Sequence, residues 1–228
     1  MHQKIVDRLA SIQAIISHAL ENSQKAGSAV SIIAVSKLQT IKTIEAAYHS
    51  GIRNFGENYA QELAAKTATC SQDITWHFIG PIQSNKVQLI AENAQWVHSL
   101  ERSKIARLLN QACSKLNKKI FVLIQVNIDN EDSKSGIPAD GVLNFAHEIQ
   151  EQYPSLVLSG LMFMPNILAS EEERLNTFKK IEALRDSFLA AYPQCQELSL
   201  GTSKDFEPAI EFGSTMIRVG EILLGARS

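Results

Sequence analysis

Apolar residues at the start of the chain recur at helical spacing. Ile5, Leu9, Ile12, Ile16 and Leu20 line one face and predict an amphipathic opening helix. The pattern then changes. Ser31-Ile32-Ile33-Ala34-Val35-Ser36 is a short run rich in β-branched residues and predicts a buried strand. Strand-like and helical pieces alternate from there. Further strands are predicted at 53–55, 75–79, 95–98, 120–126, 156–159, 197–199 and 216–219. Helical stripes between them include Ile105, Leu108, Leu109, Ala112 and Leu116, then Val142, Phe145, Ala146 and Ile149, then Leu175, Phe178, Ile181, Leu184 and Phe188. Alternation predicts parallel strands joined by helical crossovers. About eight such units in a chain of this length predict an α/β protein of the TIM (β/α)8 barrel type. An open doubly wound sheet is the alternative. It would show a glycine-rich first turn, whereas the first strand here ends in Ser36-Lys37-Leu38-Gln39. No Pro/Gly/Ser linker interrupts the pattern, so residues 1–228 are expected to form a single domain.

Composition adds limits. The chain has 228 residues, 45% of them hydrophobic, and a formal net charge of −2. That apolar content excludes intrinsic disorder. A chain of this size buries roughly 70–75% of its unfolded surface, enough for a core without covalent staples. Near-neutral charge argues against nucleic acid as a partner. The three cysteines, Cys70, Cys113 and Cys195, are widely spaced and form no C-x-x-C motif. They predict reduced thiols rather than a disulfide framework or a structural zinc site. No stretch reaches the ~18–20 apolar residues of a membrane span, and the first residues carry no signal-peptide pattern. A cytoplasmic protein is expected, and a monomer.

In a (β/α)8 barrel the site lies at the C-terminal strand ends, which makes a list of candidates. Lys37 closes the first strand. Desolvation at an apolar rim lowers an amine's pKa, and a neutral amine attacks an aldehyde to form a Schiff base; the plainer alternative is a lysine reaching solvent. Leu198-Ser199-Leu200-Gly201-Thr202-Ser203-Lys204-Asp205 joins the seventh strand to a helix, and its N–H groups and hydroxyls suit a phosphate. Gly220 follows the eighth strand, where it completes such a cradle; an ordinary capped turn is the alternative. Arg218 sits between Ile217 and Val219. It is either a structural ion pair, for instance with Glu221, or a donor aimed at a ligand. A pyridoxal phosphate site needs a Schiff-base lysine, a phosphate cradle and a partner for the pyridine nitrogen. Lys37, the Gly201–Ser203 turn with Gly220, and Arg218 supply one of each. His77 and His98 lie in apolar strand ends and read as core or mouth histidines, assembling into nothing recognisable. Glu171-Glu172-Glu173 reads as a solvated helix start favoured by the helix dipole.

At these residues the sequence resembles the pyridoxal phosphate homeostasis proteins. The resemblance rests on Ala34-Val35-Ser36-Lys37, Gly56-Glu57-Asn58-Tyr59 and the long, specific segment from Trp76-His77-Phe78-Ile79-Gly80 through Pro81-Ile82-Gln83-Ser84-Asn85-Lys86. It continues through Gln125-Val126-Asn127, Lys134-Ser135-Gly136, Gly160-Leu161-Met162, Leu198-Ser199, Arg218-Val219-Gly220 and Gly225-Ala226-Arg227. It runs in order across almost the whole chain. It implies a barrel like the N-terminal domain of alanine racemase. It also implies that Lys37 holds pyridoxal phosphate as an internal aldimine and that Arg218 faces the pyridine nitrogen. Thr202, Ser203 and Gly220 would hold the phosphate, with Asn58 beside the ring. The chain departs from the family pattern at Leu200 and Thr202, at Glu221, and at Gln39-Thr40, changes that bear on cofactor affinity and release.

An arginine at the pyridine nitrogen keeps it unprotonated and makes the ring a poorer electron sink. Racemisation needs an acid–base group on each face of the substrate, and no second domain fits in this length. The expectation is therefore a carrier or homeostasis protein that buffers and delivers pyridoxal phosphate, with apo pyridoxal-phosphate enzymes as partners and no established turnover. One alternative is an amino-acid racemase using His77 or Tyr59 as a second acid–base group. Another is a Schiff-base aldolase that uses no pyridoxal phosphate.

Overall fold

The alternation of buried strands and amphipathic helices closes on itself. A computed structural model describes residues 1–23, 29–129, 135–166 and 168–226. Its strands are β1 (Ser31–Val35), β2 (Asn54–Glu57), β3 (Thr75–Phe78), β4 (Trp96–Leu100), β5 (Ile120–Asn127), β6 (Ile137–Pro138), β7 (Leu156–Phe163), β8 (Glu197–Thr202) and β9 (Met216–Val219). Neighbouring strands pair in parallel from β1 round to β9, which returns to β1, while β4 pairs with β5. Eight strands thus make a closed parallel barrel. The two-residue β6 lies outside it, on the end of β5. It is too short to leave a periodic signal.

The helices are α1 (His2–Asn22), α2 (Ile41–His49), α3 (Ala60–Thr67), α4 (Val87–Asn93), α5 (Ser103–Lys115), α6 (Val142–Gln152), α7 (Glu171–Ala191), α8 (Phe206–Glu211) and α9 (Glu221–Leu224). The predicted stripe of α1 is the buried one: Ile5, Ile12 and Ile16 are buried, and Leu9 and Leu20 pack against the core. Ser170 caps α7 through a reciprocal bond with Glu173, so the Glu171–Glu173 run is a helix start as expected.

Because strand side chains alternate, each strand serves two layers. Ala34, Ile124, Phe163 and Ile217 face the helices and join the large apolar cluster. Their neighbours Ile33, Leu123, Met162 and Met216 form a small cluster of their own, filling the barrel interior. Met216 and Arg218 are two apart, so Arg218 shares that interior face. Among the described residues no helix is long and apolar enough to cross a membrane, and no cluster of metal-binding side chains occurs. The three cysteines are free and buried. Lys134 and Arg227, part of the segments carrying the resemblance, lie outside the described residues.

Candidate functional site

Lys37 stands on the turn that ends β1 and is half-buried. Its neighbour Leu38 has φ 58°, a left-handed conformation that costs a branched residue roughly 1–2 kcal/mol. A second lysine comes close to this turn. Lys66 of α3 is 5% exposed, and its ammonium donates to Ser36 O, Glu57 Oε1 and Glu62 Oε2, each at 2.8 Å. All three of its hydrogen-bond donors are therefore engaged within the protein. Its place on a helix keeps it off the candidates that the strand-end rule selects. A signal was available, since Ala60, Leu63 and Lys66 share the buried face of α3, and a lysine on an apolar stripe needs a partner.

Arg218 is 4% exposed. Its NH1 donates to Ser199 Oγ and its NH2 donates to Phe163 O at 2.9 Å. Neither acceptor is charged, and among the described residues Arg218 makes no ion pair, so the structural pairing with Glu221 is ruled out. The physical reason is parity: Arg218 faces the barrel interior, whereas Glu221 opens α9 and is exposed. Burial pulls the Arg218 pKa down to about 10, with the Asp205 carboxylate opposing that fall.

The two histidines do assemble, contrary to expectation. Ser199 Oγ lies 2.8 Å from His98 Nδ1, His98 Nε2 lies 2.9 Å from His77 Nδ1, and His77 Nε2 lies 3.1 Å from Asn54 Oδ1. Donor rules orient the chain. Ser199 Oγ already accepts from Arg218, and its own proton finds its acceptor in His98 Nδ1. His98 then carries hydrogen on Nε2 and donates to His77 Nδ1. His77 in turn donates from Nε2 to Asn54 Oδ1. Both rings are neutral in this arrangement. Burial pushes the His77 pKa down to about 3 and His98 well below its ordinary value, the latter helped by His77 and Arg218. A directed polar chain thus runs through the barrel interior and ends on the guanidinium.

The turns after β8 and β9 come together as the motif predicts. Gly220 N–H donates to Ser203 Oγ at 3.3 Å. Gly201 (φ 92°) makes the bend possible, because a Cβ there would meet Phe206 Cα at 2.7 Å. Thr202 is engaged differently from expectation: its N–H and hydroxyl both donate to Asp205 Oδ1, at 2.7 and 2.8 Å. Asn58 follows β2, and its Oδ1 is buried without a hydrogen-bond partner. Its backbone passes so close to Gly80 that a Cβ at Gly80 would collide with Asn58 O and sit 2.7 Å from its Cα. A polar cleft of about 600 Å³ lies elsewhere, lined by Asp129, Asn166, Glu173, Thr177 and Lys180. Its Asp129 is held by Thr177 and Lys180, so it offers no comparable set of unspent groups.

An amine on a strand-end turn, a buried cation one strand away and two joined hydroxyl-and-amide turns gather at the C-terminal ends of the barrel strands. Residues 11–228 match the family model described as alanine racemase, N-terminal domain. The chain is 42% identical to the pyridoxal phosphate homeostasis protein of Pasteurella multocida, over 98% of this chain and 97% of that one. It is 38% identical to the protein of the same name from Escherichia coli, over 98% and 97%. Among solved structures, PipY of Synechococcus elongatus with pyridoxal phosphate bound aligns with a TM-score of 0.84 and 31% identity, covering 97% of this chain and 100% of that chain. The chain belongs to the pyridoxal phosphate homeostasis protein family, within the alanine racemase N-terminal domain fold.

Proposed function

We propose that this protein binds pyridoxal phosphate reversibly at the C-terminal mouth of its barrel and serves the homeostasis of that cofactor. The observation that carries the reading is the β1–β9 pairing. Ile33 aligns with Arg218 and Ala34 with Val219, so the Lys37 turn lies above the Arg218 guanidinium and beside Gly220. The donor set suits the cofactor at each end. Lys37 would provide the amine. Arg218 would face the pyridine nitrogen as a cation with no carboxylate in ion-pair contact, which would keep that nitrogen unprotonated. Ser203, Gly220 and Thr202 would hold the phosphate, and the unpartnered Asn58 Oδ1 would lie beside the ring. When bound, the cofactor would supply an aldehyde, an electrophile that the Lys37 amine can hold reversibly.

The same geometry favours binding and release over turnover. A racemase needs an acid–base group besides Lys37. His77 has both ring nitrogens engaged and a pKa pushed down to about 3 by burial, so it takes up no proton at neutral pH. Tyr59 is exposed, at the start of α3. We read residues 1–228 as one cofactor-binding domain, acting as a cytoplasmic monomer that passes its cargo to apo pyridoxal-phosphate enzymes. The test is spectroscopic and chemical. Protein mixed with pyridoxal phosphate should gain a visible band that borohydride bleaches, leaving the reduced cofactor on Lys37. Lys37→Ala should lose the label while keeping its circular dichroism. A label mainly on another lysine would overturn the site, and steady interconversion of amino-acid enantiomers would overturn the carrier reading.

A further inference from the structure

We propose that Lys66, Glu57 and Glu62 form a clamp that sets the position of the Lys37 amine, acting as positioning residues from behind the barrel wall. The inference rests on the reading of Lys37 as the cofactor-binding amine. Its evidence is a closed set of contacts around that one residue. On the N-terminal side of Lys37, Ser36 O accepts from Lys66 at 2.8 Å, and Ser36 Oγ donates to Glu57 Oε1 at 2.6 Å. On the C-terminal side, Leu38 N–H donates to Glu62 Oε2 at 2.9 Å. Lys66 bridges the two carboxylates, at 2.8 Å to each. Both flanks of Lys37 are therefore tied to one buried ammonium.

Alternation explains why the clamp does not touch the ligand. Ser36 continues the outer face that carries Ala34, which packs against the helices. Lys37 continues the inner face that carries Ile33. Glu57 closes β2, whose Gly56 is in register with Val35; Lys66 and Glu62 come from α3, which packs outside. The clamp also accounts for the backbone of Leu38. A left-handed leucine persists where its surroundings over-determine it, and the Glu62 carboxylate does so by holding its amide. Burying an ammonium and a fully enclosed Glu57, whose Oε2 has no partner, is costly. Burial raises the Glu57 pKa, while hydrogen bonds from Lys66 and Leu38 and the Lys66 charge outweigh burial to lower that of Glu62. A plain ion pair for stability would place both carboxylates in wetter positions. What this arrangement achieves is a single geometry for the turn.

The experiment compares Lys66→Met, Lys66→Arg and the wild type. Lys66→Met should exchange the Leu38 amide hydrogen at least tenfold faster, and should slow covalent capture of pyridoxal phosphate by at least tenfold in stopped flow. Affinity for pyridoxine 5′-phosphate, which lacks the aldehyde, should change less than threefold. Lys66→Arg should restore most of the capture rate. If Lys66→Met does not fold, Glu62→Ala serves, because Glu62 is partly exposed and its loss releases the Leu38 amide while Lys66 keeps Ser36 O and Glu57 as acceptors. Wild-type capture with a loosened Leu38 amide would overturn the clamp, and so would equal losses for both ligands. Amide exchange and the acylation rate of Lys37 by acetic anhydride are read without cofactor. A failure of the cofactor assignment therefore shows as absent capture in the wild type, separately from the clamp.

Discussion

Acid should destabilise this protein at pH values well above the ordinary carboxylate range, and the polar chain inside the barrel supplies the reason. His77 and His98 have an ordinary pKa of 6.5; burial takes His77 to about 3 and His98 well below its ordinary value. Below pH 6.5 the unfolded chain binds two protons that the folded barrel refuses. Their effect is therefore absent above that pH, and stability falls as the pH falls. Each ring contributes about 1.4 kcal/mol per pH unit, so the pair costs about 4 kcal/mol between pH 6.5 and 5. Glu57 opposes this. Burial raises its pKa above 4.5, so the folded chain takes up a proton before the unfolded one and recovers up to about 1.4 kcal/mol per pH unit where it titrates. A net loss of about 2–4 kcal/mol remains, a large fraction of a typical total stability of about 5–15 kcal/mol. Urea unfolding of the cofactor-free protein at closely spaced pH values between 7.5 and 5 measures it. His98→Asn should flatten the slope below pH 6 by about 1.4 kcal/mol per unit, whatever it does to stability at pH 7.5. An unchanged slope in that variant would show that His98 is not held neutral in the fold, and the directed chain from Arg218 would fall with it.

Arg218→Met should leave the cofactor-free protein about as stable as before, while weakening pyridoxal phosphate at least tenfold. The fall in the Arg218 pKa from 12.5 to about 10 corresponds to about 3 kcal/mol of unfavourable burial at neutral pH, which offsets the roughly 3 kcal/mol of the two hydrogen bonds that the charged guanidinium donates. A lower melting temperature without cofactor, with affinity unchanged, would mark the arginine as purely structural. Glu221→Thr should change affinity less than about tenfold, because the exposed side chain is screened from the phosphate. A much larger gain in titration calorimetry would mean that the carboxylate faces the ligand and loosens it.

Local patterning carries the barrel itself. Short β-branched runs alternating with helical stripes place the eight barrel strands, and the strand-end rule then selects the Lys37 turn and the turns at Gly201 and Gly220. All of these are neighbours in sequence, within reach of period and turn chemistry. Other features depend on which strands become neighbours. Arg218 suggests Glu221, three residues on, yet it meets Ser199 and Phe163 because parity sends its side chain into the barrel and Glu221 onto its rim. His77 and His98 look unrelated at 21 positions apart, and Ser199 is 101 positions beyond His98. Thr202 looks free to donate until the bend at Gly201 brings Asp205 beneath it. Lys66 and Glu62 stand four residues apart on α3, but that spacing does not reveal their contacts with Ser36, Glu57 and Leu38, which the packing of α3 against the ends of β1 and β2 creates. Periodicity records which face of an element is apolar. It does not record which polar groups on different elements share the space that closure encloses, because those contacts are set by register and barrel geometry rather than by spacing along the chain.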